Sequence, residues 1–180
     1  LLSDALEAVL MPGKGRGLLL KRAVTAGELL MVSRSLFMAP ASEMQQCVLT
    51  WLLEANLRQK QQFYSLFDGT NGDVLFPLSF YKPGANAAHS QSLPSGSRID
   101  PDRVYRILAL NGFQANKIEA AAQTDPGKAR ENLKDEPPDD EGLATSGLWT
   151  VPSLMNHACV PSTVAVPLTK ATLAFVAAYD

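Results

Sequence analysis

Asn156, His157 and Cys159 stand within four positions of one another in the run SLMNHACVPST, residues 153–163. Side chains of these types serve as metal ligands, as nucleophile–base pairs or as polar hooks for a bound group. A Cys–His nucleophilic site needs the imidazole within hydrogen-bond reach of the sulfur and a third group to orient it. Residues two apart in a strand share a face, but catalytic pairs usually come from distant segments. A metal site needs two or three further ligands, and the chain offers only Cys47 and His89, each in an unrelated setting. The third reading makes Asn156 and His157 buried polar groups bonded to backbone. Taken locally, this last reading is favoured.

A second candidate is the glycine cluster GKGRG, with Gly13, Gly15 and Gly17 around Lys14 and Arg16. Glycines let a backbone approach a ligand closely and expose its N–H groups. The Gly-Lys-Ser/Thr ending of a P-loop is missing, and strands rather than a helix are expected to follow, against a dinucleotide fingerprint. Lys14 and Arg16 would suit a carboxylate or phosphate. The competing reading is a plain hairpin turn with basic residues on its tip. Further along, Asn111 falls on an apolar helix face, where a buried amide must be satisfied by backbone or by ligand, and backbone is the default. Trp149 and Phe113 read as core or pocket wall, and Tyr179 as a strand-end aromatic.

These residues need elements to hold them. LEAVLM (6–11), GLLLKRA (17–23) and ELLMVS (28–33) have strand length and are separated by glycine turns, with Gly27 suited to a tight one. Met44, Val48, Trp51, Leu52 and Ala55 follow helical spacing, with Ser42 as the expected N-cap. The polar run RQKQQ predicts a kink or helical hairpin near residue 58. Residues 81–98 read as a mobile loop. A helix restarts with Asp100 as cap and Pro101 in first position, its face carrying Val104, Ile107, Leu108 and Asn111, and ends at Gly112. Residues 123–142 are polar and end acidic, predicting a disordered insert. The remainder reads as short strands around a central irregular segment.

Composition narrows the class. A chain of 180 residues, 46% hydrophobic and 19% charged, can bury one real core. A net charge of −2 argues against a nucleic-acid-coating or basic membrane surface. No apolar run approaches the roughly 20 residues that span a bilayer, and LLSDALEAVL has no basic flank or cleavage site of a signal peptide. Two cysteines do not make a disulfide framework, and a reducing compartment, cytoplasm or nucleus, fits better. With no initiator Met and an apolar final run, LAFVAAYD, the chain is expected to be a piece of a longer protein.

In order along the chain, GKGRGLLLKRAVTAGELL and SLMNHACVP together resemble the split SET domain of protein-lysine methyltransferases. The likeness is to the branch with a long helical insert, carrying MYND fingers or tetratricopeptide repeats. It covers residues 6–38 and 148–180, and Asn111, Gly112 and Phe113 match an Asn-x-Phe element of the family. The resemblance implies an α+β fold: a β-rich SET domain of small curved sheets, split by a helical insert at about 40–145 with disordered loops near 82–98 and 123–146.

It also implies S-adenosylmethionine as cofactor and a protein lysine, histone or other, as methyl acceptor. Lys14, Gly15 and Arg16 would line the methionine end. Asn156 and His157 would hydrogen-bond the cofactor, with Ser153, Leu154 and Asn111 nearby. Cys159 would occupy a zinc-ligand position in relatives with a cysteine-rich tail, so zinc is possible in the full-length protein. Ala158 and Ser162 depart from the family's usual Ser and Asn. The family's catalytic tyrosine falls after Asp180, so these residues alone are expected to transfer no methyl group. No direct nucleic-acid or membrane partner is implied. The rival class is a non-catalytic SET-like interaction module, and a cysteine hydrolase ranks last.

Overall fold

The computed structural model describes residues 1–70, 76–77, 80, 99–114, 145–156 and 160–180. Its architecture is mixed α+β, with small antiparallel sheets and, among the described residues, three α-helices. Strands β1 (Leu6–Met11) and β2 (Gly15–Leu20) form a hairpin. β3 (Leu29–Arg34) pairs with β8 (Thr172–Ala177), which pairs with β7 (Thr163–Thr169). β4 (Phe37–Pro40) and β5 (Gly112–Gln114) flank β6 (Thr145–Leu148). The helices are α1 (Met44–Glu54), α2 (Leu57–Tyr64) and α3 (Pro101–Asn111).

The sheet β4-β6-β5 separates two cores. Successive strand residues point to opposite faces, so Leu148 packs with Val48, Leu52, Phe63, Val104 and Ile107 beneath the helices. Its neighbour Trp149 packs on the other side with Leu6, Leu30, Met31, Leu173 and Phe175. Ala39 and Met38 on β4 divide in the same way. The glycine hairpin therefore rests on the second core and the helices on the first. The residues before β1 stitch the hairpin to the larger sheet: Ser3 N–H donates to Leu30 O at 2.8 Å and Val32 N–H to Leu1 O at 2.9 Å.

Several local expectations are met. β1 has the expected bounds, Gly27 takes φ +82°, and Asp100 caps α3 by accepting from the N–H groups of Asp102 and Arg103. Pro101 opens that helix and Gly112 closes it. Apart from these expectations, Cys47 carries a free thiol, and no described helix is long and apolar enough to cross a membrane.

Others need correction. Ser42 does not cap α1: it lies inside a 3₁₀ turn, Ala41–Glu43, and Glu43 precedes the helix without a side-chain cap. The capping residue is Asn56, which forms a reciprocal capping box with Gln59 and so breaks the helical run just before residue 58. β2 starts two residues before the expected Gly17, because the Lys14 N–H to Met11 O bond, 3.1 Å, turns the chain at once and pairs Met11 with Gly15. The insert is not purely helical, since it returns β5 to the sheet. Thr145 and Ser146 belong to β6, held by partners on both sides, so the loop expected near 123–146 ends earlier. The rest of that loop, and residues 82–98, lie outside the described residues.

Tyr64 is buried among Phe63 and the Arg103 guanidinium, 4.9 Å from its ring centroid. Burial pushes its phenol pKa up, Arg103 opposes that shift, and its hydroxyl has no hydrogen-bond partner among the described residues. Deleting an unsatisfied buried hydroxyl removes a desolvation cost. Tyr64→Phe is therefore expected to leave stability unchanged or raise it by up to about 1 kcal/mol in denaturant unfolding. A clear loss would show that the hydroxyl has a partner.

Candidate cofactor site

The two motifs, at opposite ends of the sequence, meet in space. A 3₁₀ turn, Pro152–Leu154, carries the chain from Trp149 toward Asn156 and lies against β2. The contact is tightest at Gly17, which is buried. A Cβ built there would lie 1.8 Å from Met11 Cε and 2.6 Å from Asn156 Nδ2. No side chain fits at residue 17 without moving both, so glycine is what lets the Asn156 carboxamide lie against the hairpin. Asn156 is itself exposed. It makes no side-chain hydrogen bond with other described residues, which leaves its amide available to a ligand.

The hairpin tip presents the other candidates. Gly15 takes φ +72°, a left-handed conformation that L side chains rarely adopt. Among the described residues nothing lies within 4 Å of where its Cβ would be, so the backbone is open to approach. Lys14 is exposed beside it. Arg16 is half-buried and points elsewhere: its Nη1 donates to the carbonyl of Ser65, the residue that ends α2.

The remaining candidates serve the fold. The Ser153 hydroxyl donates to Trp149 O at 2.7 Å and its N–H to the same oxygen at 3.1 Å, fastening the 3₁₀ turn. Leu154 is buried. Asn111, also buried, donates from Nδ2 to Phe67 O and to Ile107 O, each at 2.7 Å. Its amide hydrogens are thus committed to backbone, as the local reading of the sequence had it.

Trp149 forms the floor beneath this turn. It is fully buried, meets Phe113 edge to face at 5.9 Å and packs under Gly147. Its indole N–H has no partner among the described residues.

The structure also brings in residues that the motifs did not indicate. Met11 crowds Gly17, and Ser65 and Phe67 supply carbonyls to Arg16 and Asn111. The stretch QFYSLFDG around Ser65 and Phe67 carries no ligand-like pattern, so no sequence signal could have found them. Beside them, Arg103 Nε donates to the Asp68 carboxylate at 2.8 Å. Burial alone would raise the Asp68 pKa, but hydrogen bonds from Thr70 and the Arg103 guanidinium hold it below the usual value.

His157 and Cys159 lie outside the described residues. Among the described residues no group of His, Cys, Asp and Glu could hold a metal ion. A comparison with protein-family models and with curated proteins finds no match for this chain.

Proposed function

We propose that this chain forms the cofactor-binding part of a SET-type protein-lysine methyltransferase, with S-adenosylmethionine held between the glycine hairpin and the segment from Ser153 to His157. The observation that carries the proposal is the contact between Gly17 and Asn156, which puts an uncommitted carboxamide beside an open, glycine-rich backbone. That donor set suits the amino-acid end of S-adenosylmethionine: amide and backbone groups with a nearby Lys14 ammonium can bind a carboxylate without a phosphate cradle.

When bound, the cofactor supplies an electrophilic methyl group for a lysine amine. The residues named here bind and orient it: Asn156 and the Gly15 backbone by hydrogen bonds, Lys14 by charge, and His157 as a further hook. Ser153 and Leu154 act through the shape of the 3₁₀ turn. Arg16 and Asn111, whose donors are engaged within the fold, contribute by position.

Titration calorimetry with S-adenosylmethionine tests the reading. The unsubstituted chain is expected to bind, and Asn156→Ala to weaken binding at least about ten-fold, the worth of one charge-assisted hydrogen bond. Equal affinity in the two chains would remove Asn156 from the site, and absence of binding by the unsubstituted chain would overturn the proposal.

A further inference from the structure

The turn that follows α2 gathers donors from two distant elements. From β2, Arg16 Nη1 donates to Ser65 O. From α3, Asn111 Nδ2 donates to Phe67 O at 2.7 Å and Arg106 Nε to Asp68 O at 3.1 Å. Arg103 Nε closes the set on the Asp68 carboxylate at 2.8 Å. Ser65 is 2% exposed, and its hydroxyl donates back to Gln62 O at 2.7 Å. Three residues of the turn, Ser65, Phe67 and Asp68, are thus pinned by side chains from β2 and α3.

The hairpin, by contrast, is a two-stranded ribbon, marginal by itself. It needs an external tie near its tip, and Arg16 is one residue from Gly15. The cation also ends on a carbonyl at the C-terminus of α2, where the helix dipole favours positive charge.

We infer that the Ser65–Asp68 turn is a positioning element for the glycine hairpin, with Arg16 as the tie between them. Arg16 is then a positioning residue, and the helical insert governs the order of the hairpin tip. α3 holds the turn, the turn holds Arg16, and Arg16 holds the backbone at Gly15 and Gly17 against Asn156. Only the affinity consequence of this tie rests on the cofactor proposal.

Amide hydrogen exchange, read by mass spectrometry on the chain without cofactor, tests the tie directly. Arg16→Ala and Asp68→Asn are each expected to speed exchange across residues 11–17 by about ten-fold, the effect of losing one such bond. Arg16→Lys keeps a cationic donor and should restore most of the protection. Val48→Ala, which loosens the core beneath the helices but removes none of these hydrogen bonds, should leave hairpin exchange unchanged. Unaltered exchange in both Arg16→Ala and Asp68→Asn, or an equal rise in Val48→Ala, would overturn the inference.

In calorimetry with S-adenosylhomocysteine, both variants should weaken binding, and the double variant should lose less than the sum of the two. Additive losses would overturn action through Arg16. No binding by the unsubstituted chain would overturn the cofactor proposal and leave the exchange result to decide the tie.

Discussion

Gly17→Ala is expected to weaken S-adenosylmethionine binding by about ten- to a hundred-fold while the chain still folds. The new methyl would fall 1.8 Å from Met11 Cε and 2.6 Å from Asn156 Nδ2. Both neighbours are the far ends of flexible side chains, so they can swing aside without moving backbone. The stability cost is therefore modest, about 1–2 kcal/mol of the kind that overpacking produces. The functional cost is larger, because the group that must move is the carboxamide proposed to hold the cofactor.

Gly13→Ala should behave in the opposite way. At φ +70° with no described neighbour within 4 Å, it adds backbone strain but displaces nothing. Its stability should fall by about 1 kcal/mol, with affinity little changed. Calorimetry and denaturant unfolding on the two variants separate the cases. An affinity for Gly17→Ala within two-fold of the unsubstituted chain would show that the Asn156 contact is unrelated to binding.

The largest loss of stability is expected from Trp149→Ala, at about 3–5 kcal/mol. Domains of this kind have only about 5–15 kcal/mol to lose. The indole is fully buried at the centre of the second core, against Phe113 and beneath Gly147. Its backbone carbonyl anchors both the hydroxyl and the N–H of Ser153, so a collapsing floor also shifts the turn that leads to Asn156.

Trp149→Phe deletes the unpartnered indole N–H together with part of the ring. The relief of that buried donor offsets some of the lost packing, and the cost should be less than half that of alanine. Unfolding followed by near-ultraviolet circular dichroism reads both. Equal losses for phenylalanine and alanine would show that the N–H is bonded after all.

How much of this was legible beforehand depends on the range of the interactions concerned. β1 and the caps of α3 follow from patterns within one element: apolar residues of strand length, and Asp100 with Pro101 before a helical face. The polar run RQKQQ points to a break near residue 58, whereas its cause is the capping box of Asn56 and Gln59 at the start of α2. Ser42 satisfies the local rule for a cap and still falls in a 3₁₀ turn, because the chain leaving β4 at Pro40 tightens before it enters α1. The mixed α+β class was expected from the family resemblance, and the strand-length and helix-length runs are consistent with it. The division into two cores was not, since it depends on which side of the sheet Leu148, the last residue of β6, and Trp149, just after it, each pack.

The candidate residues divide along the same line. The resemblance to the SET family grouped Lys14, Gly15, Arg16, Asn111, Ser153, Leu154, Asn156 and His157 as expected cofactor contacts. Local pattern could also say that a buried Asn111 must be satisfied. It could not say which donors are already spent, because their acceptors are remote in the chain: Phe67 is 44 positions from Asn111, and Ser65 is 49 positions from Arg16. A hydrogen bond needs an acceptor within about 3 Å, and only the packed chain brings carbonyls that distant to such a separation. Tertiary structure thus turned Arg16 and Asn111 inward as ties, and left Asn156, seated against a glycine with no room for a side chain, as the carboxamide free to meet a ligand.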